Sequence, residues 1–217
     1  MLNKVYLIEL RVSILYNKTM KKDKKRGLLI IMSGPSGVGK GTIRREVMKD
    51  KSLNLYYSVS MTTRARRPGE VDGEDYYFVS KEEFQRNIDN NNLLEWAEFV
   101  GNRYGTPKDK VEKMRDEGKN VMLEIEVNGT TQVLKNCQGR DVISIFIIPP
   151  SFEELENRIR HRGTESDEVV KTRLKKAEAE MELKYHYEFI VLNDEISRAA
   201  EEVRDIIRSR MNAKIIK

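Results

Sequence analysis

Seven residues, Gly34-Pro35-Ser36-Gly37-Val38-Gly39-Lys40, place three glycines and a lysine in one short turn. Glycines let a backbone curl until successive N–H groups point at one centre, which makes a cradle for an anion. A helix opening at that point adds partial positive charge, and Lys40 adds a full one. The chemistry is phosphate binding, with Lys40 directed at the β- and γ-phosphates of a nucleoside triphosphate. One position departs from the usual pattern. Gly41 stands where a Ser or Thr normally offers Mg²⁺ a hydroxyl, and Thr42 follows one place later. Either Thr42 reaches the metal, or water and nucleotide oxygens hold it, which suits the slow dehydration of Mg²⁺.

The segment SVSMTTRARRPGEVDGEDYYF holds a second group of anion ligands. Arg64 and Arg67 are forked donors three residues apart, near Tyr76 and Tyr77, and such groups suit a phosphate monoester. A solvated arginine-rich loop reads the same way. Glu124 and Glu126 lie two apart on an expected strand, so both are expected on one face, bordering a ligand crevice at its C-terminal end. Ser151 and Glu154 have the spacing of a capping box that starts a helix after Pro149-Pro150. That helix carries Arg158 and Arg162, and Arg173 follows in the next. These cations form either a solvated helix face or a set that stabilises the charge of a transferring phosphoryl group.

Positioning such groups requires a rigid frame. Leu28–Met32 is a continuous apolar run leading into the glycine turn, as expected of a strand buried on both faces. Further strands are expected at Val121–Ile125, Val142–Ile148 and Phe189–Leu192. Helices are expected at Thr42–Lys49, Lys108–Glu117, Phe152–Arg160, Asp167–Tyr185 and Ile196–Met211. The alternation implies an α/β fold, a parallel sheet with helices on both faces. From Tyr57 to Tyr104 the pattern changes to short apolar–polar segments (YYSVS, DYYFV, LLEWAEF), expected to form a small, mostly antiparallel insertion with a helix near Lys81–Asn90.

Composition bounds the rest. The chain has 217 residues, 39% hydrophobic and 35% charged, enough for one well-buried core. No apolar run approaches the roughly 20 residues of a membrane-spanning helix, so no membrane partner is expected. One cysteine and two histidines provide neither an internal disulfide nor a zinc cluster, which fits a cytoplasmic protein. The net charge is +5, but eight of the forty Lys/Arg and only two of the thirty-five Asp/Glu fall in residues 1–26. The remainder is nearly neutral, so no nucleic-acid partner is expected of the domain. Residues 1–26 read as a basic N-terminal extension, with Met20 an alternative start, and the domain is expected to span 27–217.

With GPSGVGKGT, SVSMTTRARRPGEVDGEDYYFV, LLEWAEFVGNRYGTP, LEIEVNG, HRGTES and IVLND in this order, the chain from Leu28 to about Arg210 closely resembles the guanylate kinase family. The resemblance implies a P-loop fold with a GMP-binding lobe at about 57–107 and a lid at about 158–173. It implies transfer of the γ-phosphoryl group of ATP to GMP, with Mg²⁺ accompanying ATP, in a monomer or homodimer. ATP would be bound by Gly34, Pro35, Ser36, Gly37, Val38, Gly39, Lys40, Gly41, Thr42 and Asn193. Arg64, Arg67, Tyr76 and Tyr104 would hold the GMP phosphate, supported by Glu70. Ser60, Glu95, Thr106 and Glu126 would surround the guanine. Lys40, Arg64, Arg158, Arg162 and Arg173 would carry catalysis. The match leaves open the metal ligands, a guanylate-kinase-like binding module without catalysis, and a P-loop kinase of another phosphorylated acceptor.

Overall fold

The computed structural model describes residues 26–99, 101–137, 139, 141–160 and 167–215. Residues 1–25 of the expected extension and the HRGTES segment at 161–166, including Arg162, therefore lie outside the described residues. The elements run β1 (Leu29–Ser33), α1 (Lys40–Val47), β2 (Leu55–Tyr57), β3 (Met61–Thr62), β4 (Tyr77–Phe78), α2 (Lys81–Asp89), β5 (Leu93–Phe99) and β6 (Asn102–Pro107). They continue with α3 (Lys108–Asp116), β7 (Asn120–Glu124), α4 (Val127–Asn136), β8 (Val142–Ile148), α5 (Phe152–Arg160), α6 (Asp167–Glu182), β9 (Phe189–Leu192) and α7 (Ile196–Ile215).

Five strands form a wholly parallel sheet in the order β2-β7-β1-β8-β9. The period of two along β1 divides the core. Leu28, Ile30 and Met32 face a cluster with Ile43, Val47, Leu155 and Ile207, whereas Leu29 and Ile31 face Val111, Leu123 and Val133. Helices therefore cover both faces. Each fully buried Leu or Ile contributes roughly 1.5–3 kcal/mol, which makes this sheet the rigid part of the molecule.

The second sheet, β4-β3-β6-β5, is the expected insertion. It is antiparallel at β3–β6 and β5–β6 and parallel at β3–β4. Tyr57 does not begin it: Leu55–Tyr57 pairs with Asn120–Met122 as an edge strand of the main sheet. The Ser80 hydroxyl caps α2 by accepting from Glu83 N at 3.1 Å. Two expectations fail elsewhere. Asp167–Tyr185 ends as an α-helix at Glu182 and finishes in a tighter turn, Leu183–His186. The helix α4 lies where no helix was expected, and it changes the position of Glu126.

Candidate active site

The loop before α1 sits at the C-terminal end of β1, where parallel sheets bind ligands. Gly39 ends it at φ 100°, and a Cβ there would lie 2.5 Å from Asn193 Nδ2. Only glycine accepts both that backbone and that neighbour. Asn193, 2% exposed, donates from Nδ2 to Val38 O at 2.6 Å. Lys40 opens α1, and its ammonium donates to Gly34 O at 2.5 Å and Pro35 O at 3.1 Å, crossing the mouth of the loop. Arg158 donates to Asn193 O at 3.3 Å and pairs with Glu154 at 2.9 Å. Arg173 donates to Ser36 Oγ at 2.5 Å. With a further bond from Arg158 to Val38 O at 3.5 Å, two of the three expected lid arginines meet the phosphate loop. The Ser151 hydroxyl accepts from Glu154 N at 3.0 Å, but the Glu154 carboxylate turns to Arg158, so only half of the capping box forms.

A carboxylate stands beside the position after Lys40. A Cβ on Gly41 would lie 3.6 and 3.8 Å from the two Glu124 oxygens, in ordinary contact. Glu124 is held there by Arg44 Nε at 2.9 Å, and the Arg44 guanidinium stacks 3.8 Å over Tyr57. Thr42 Oγ1 accepts from Arg45 at 3.1 Å. Among the described residues no three His, Cys, Asp or Glu side chains converge as a metal cage. A cation held mostly by nucleotide oxygens and water, with Glu124 nearby, fits this donor set.

In the connection between β3 and β4, Arg64 forms a fork with Glu70, at 2.7 and 3.1 Å, and Glu70 also accepts from Arg67 N at 2.8 Å. The Glu70 hydrogen bond raises the guanidinium pKa of Arg64, which is cationic at any physiological pH. Arg64 lies 5.4 Å from the Tyr76 ring, and Tyr76 meets Tyr104 edge-on at 6.0 Å. Arg67 is exposed at the rim, and Ser60 lies beside β3 with its carbonyl bound to Tyr77 N.

Glu95 is placed by an irregularity. Between Leu93 and Trp96 the β5–β6 register shifts, because three steps on β5 oppose two on β6. The resulting bulge directs Glu95 inward, 5% exposed, to accept from Thr106 Oγ1 at 2.6 Å. Burial, and secondarily the nearby Glu126 charge, push its carboxyl up to about 7 against the Thr106 hydrogen bond. Glu126 does not share a strand face with Glu124. The strand β7 ends at Glu124, and Glu126 is the residue that precedes α4. Short VNGTTQVLKN helix propensity hid this turn; the burial of Val127, Gly129, Thr130 and Val133 supplies what propensity lacks. The face of α4 that meets Glu95 is Gly129, where a Cβ would come within 2.3 Å of Glu95 Oε2.

A sequence model of the guanylate kinase family matches residues 26–210. The chain belongs to the guanylate kinase family. A guanylate kinase of Malacoplasma penetrans is 49% identical over 195 residues, 90% of this chain and 100% of that one. A guanylate kinase of Mesoplasma florum is 55% identical over 184 residues, 85% of this chain, which spans 61% of the relative's length. The crystal structure of guanylate kinase from Anaplasma phagocytophilum superposes with a TM-score of 0.70 at 35% identity, covering 85% of this chain and 86% of that one. Within this guanylate kinase framework four residues carry site geometry that sequence reasoning missed: Arg44, Gly129, Lys176, whose ammonium lies 2.7 Å from Glu126 Oε2, and Glu180, 3.7 Å from the same ammonium. None of the four left a mark in the sequence, since the helix that makes Gly129 unusual was itself not expected.

Proposed function

We propose that this family member transfers the γ-phosphoryl group of ATP to GMP, with the loop 34–40 as donor site and the Arg64–Tyr76–Glu95 side of the second sheet as acceptor site. The observation that carries the reading is the buried Glu95–Thr106 pair, at 2.6 Å, in a lobe that also holds the Arg64 fork. Guanine offers N1–H and the N2 amino group side by side, and one carboxylate accepts both. Ser60 has a hydroxyl that suits O6, while Thr106 gives its single proton to Glu95 and holds the carboxylate in place. Adenine would leave the carboxylate facing an acceptor, and buried unsatisfied groups of that kind discriminate strongly.

Arg64, Arg67, Tyr76 and Tyr104 bind the GMP phosphate, with Glu70 fixing the Arg64 fork. Gly34 to Thr42 and Asn193 line the ATP site. Mg²⁺ bound with ATP would supply charge neutralisation at the phosphates, with Glu124, beside Gly41, as a carboxylate near the loop. Lys40, Arg158 and Arg173, with Arg162 from outside the described residues, neutralise charge on the transferring group. One arginine in such a role is worth about 10³ or more in rate. No general base is needed, because the GMP phosphate has a second pKa of about 6 and attacks already ionised. Approach of the two sheets excludes water, which protects ATP from hydrolysis.

Among the described residues no helix is long and apolar enough to cross a membrane. The decisive experiment is coupled ADP release from Mg-ATP with GMP, dGMP, AMP, CMP or UMP as acceptor. GMP is expected to drive turnover while ATP alone remains nearly inert. Turnover with another acceptor and none with GMP overturns the reading.

A further inference from the structure

The helix α6 touches both halves of the site on one face. Residues 173, 176 and 180 follow the spacing of adjacent turns and lie side by side. Arg173 donates to Ser36 Oγ in the phosphate loop at 2.5 Å. One turn on, the Lys176 ammonium reaches Glu126 Oε2 at 2.7 Å and Glu180 Oε1 at 3.7 Å. Glu180 is 9% exposed, and the charge of Lys40 bears on it. Glu126 precedes α4, yet its side chain makes no capping bond to that helix. It turns to Lys176 instead.

We propose that Lys176 is a positioning residue that couples recognition of the guanine base to docking of α6 on the phosphate loop. The inference rests on the assignment of Glu126 to the base site. A carboxylate has about four lone-pair positions, so Glu126 can accept from guanine while keeping Lys176. Each bond it keeps orients it for the other. GMP on Glu126 therefore favours the docked α6, and a docked α6 presents Glu126 to GMP; by linkage the effect is reciprocal. Fold stability depends little on the Lys176–Glu126 pair, because its side chains are 31% and 41% exposed and exposed ion pairs contribute little, and Glu180 keeps the charge of Lys40 when Lys176 is replaced.

The test is calorimetric titration of the full chain with GMP, with and without Mg²⁺ and the non-transferable β,γ-methylene analogue of ATP. The analogue is expected to tighten GMP binding about tenfold in the natural sequence, a typical coupling. In Lys176→Met the ratio is expected to fall below about twofold with an unchanged melting temperature, and Lys176→Arg is expected to restore it. An unchanged ratio in Lys176→Met, an Arg variant as defective as Met, or no coupling in the natural sequence overturns the inference. Glu126→Gln separates the two claims. Natural GMP affinity in that variant removes Glu126 from the base site, whereas weakened GMP binding beside an unchanged Lys176→Met ratio removes only the coupling role.

Discussion

Replacing Gly129 by alanine separates recognition from stability, because the same methyl group has opposite effects on the two. The new Cβ would stand 2.3 Å from Glu95 Oε2, 3.0 Å from Cδ and 3.4 Å from Cγ. A carbon–oxygen contact closes at about 3.3 Å, so the carboxylate must retreat by about 1 Å. The fold tolerates that, since the displaced atoms are the end of a side chain. Guanine does not, because hydrogen bonds near 2.9 Å stretch beyond useful range over such a step. Losing charge-assisted bonds of about 1.5–3 kcal/mol each puts the penalty at roughly 2–4 kcal/mol. That is about 30- to 1,000-fold in kcat/KM for GMP. Alanine is meanwhile the better helix former by about 1 kcal/mol, so α4 gains what the displaced Glu95 loses. Thermal melts and steady-state kinetics on Gly129→Ala are expected to show a melting temperature within a few degrees of the natural chain beside a collapsed GMP efficiency. Natural GMP kinetics, or parallel loss of stability and activity, would refute the placement of Glu95 against α4.

Three further outcomes follow from titration and charge. With the Glu95 carboxyl pushed up to about 7 by burial, about half of the chains carry its proton at pH 7, and GMP needs the ionised form. Calorimetry in buffers of different ionisation enthalpy is expected to show about half a proton released per GMP at that pH, and much less in Glu95→Gln. The same shift works against the fold as pH rises. The native state holds the proton longer than the unfolded chain, so stability falls between about 4.5 and 7, by about 3 kcal/mol in all, and Glu95→Gln flattens that slope. Equal proton release from both proteins contradicts the assignment. At the donor site, Lys40→Met is expected to abolish phosphoryl transfer while leaving GMP binding within about threefold in the absence of ATP, because Lys40 faces the phosphate loop and not the second sheet. A binding assay showing GMP affinity lost with turnover would place Lys40 in the acceptor site.

How legible each part was depends on whether its cause is local. The strand–turn–helix at Leu28–Val47 is: an apolar run, glycines and a lysine act within one short segment. Most of the helix and strand limits follow from periodicity for the same reason. The α4 helix is not, since two threonines and a glycine argue against a helix and only buried contacts with the sheet decide for it. The alternation of LLEWAEF conveys a strand but not the register shift that turns Glu95 inward, because a bulge is a property of two strands together. Lys176 and Glu180 were hidden in the charged run KKAEAEMELK, where nothing distinguishes a solvated side chain from one facing the site.

The cations of the site share a design that limits what a phosphate must rearrange. Lys40 rests on two loop carbonyls, Arg64 on the Glu70 carboxylate, Arg158 on Asn193 O and Glu154, and Arg173 on Ser36. An uncompensated cation in a half-buried cleft would be costly, and each of these is compensated by a group of its own neighbourhood. The acceptors also fix geometry. Glu70 takes both Nη atoms of Arg64 and the N–H of Arg67, so the loop bearing the two arginines is set before GMP arrives. That arrangement reduces the field attracting any polyanion, since Arg64 and Glu70 nearly cancel at a distance. At contact the fork still donates, because hydrogen bonds depend on local direction more than on net charge. Under the proposed roles, selectivity falls to the uncharged end of the acceptor: many phosphates would meet Arg64, but only a base with adjacent donors would satisfy Glu95.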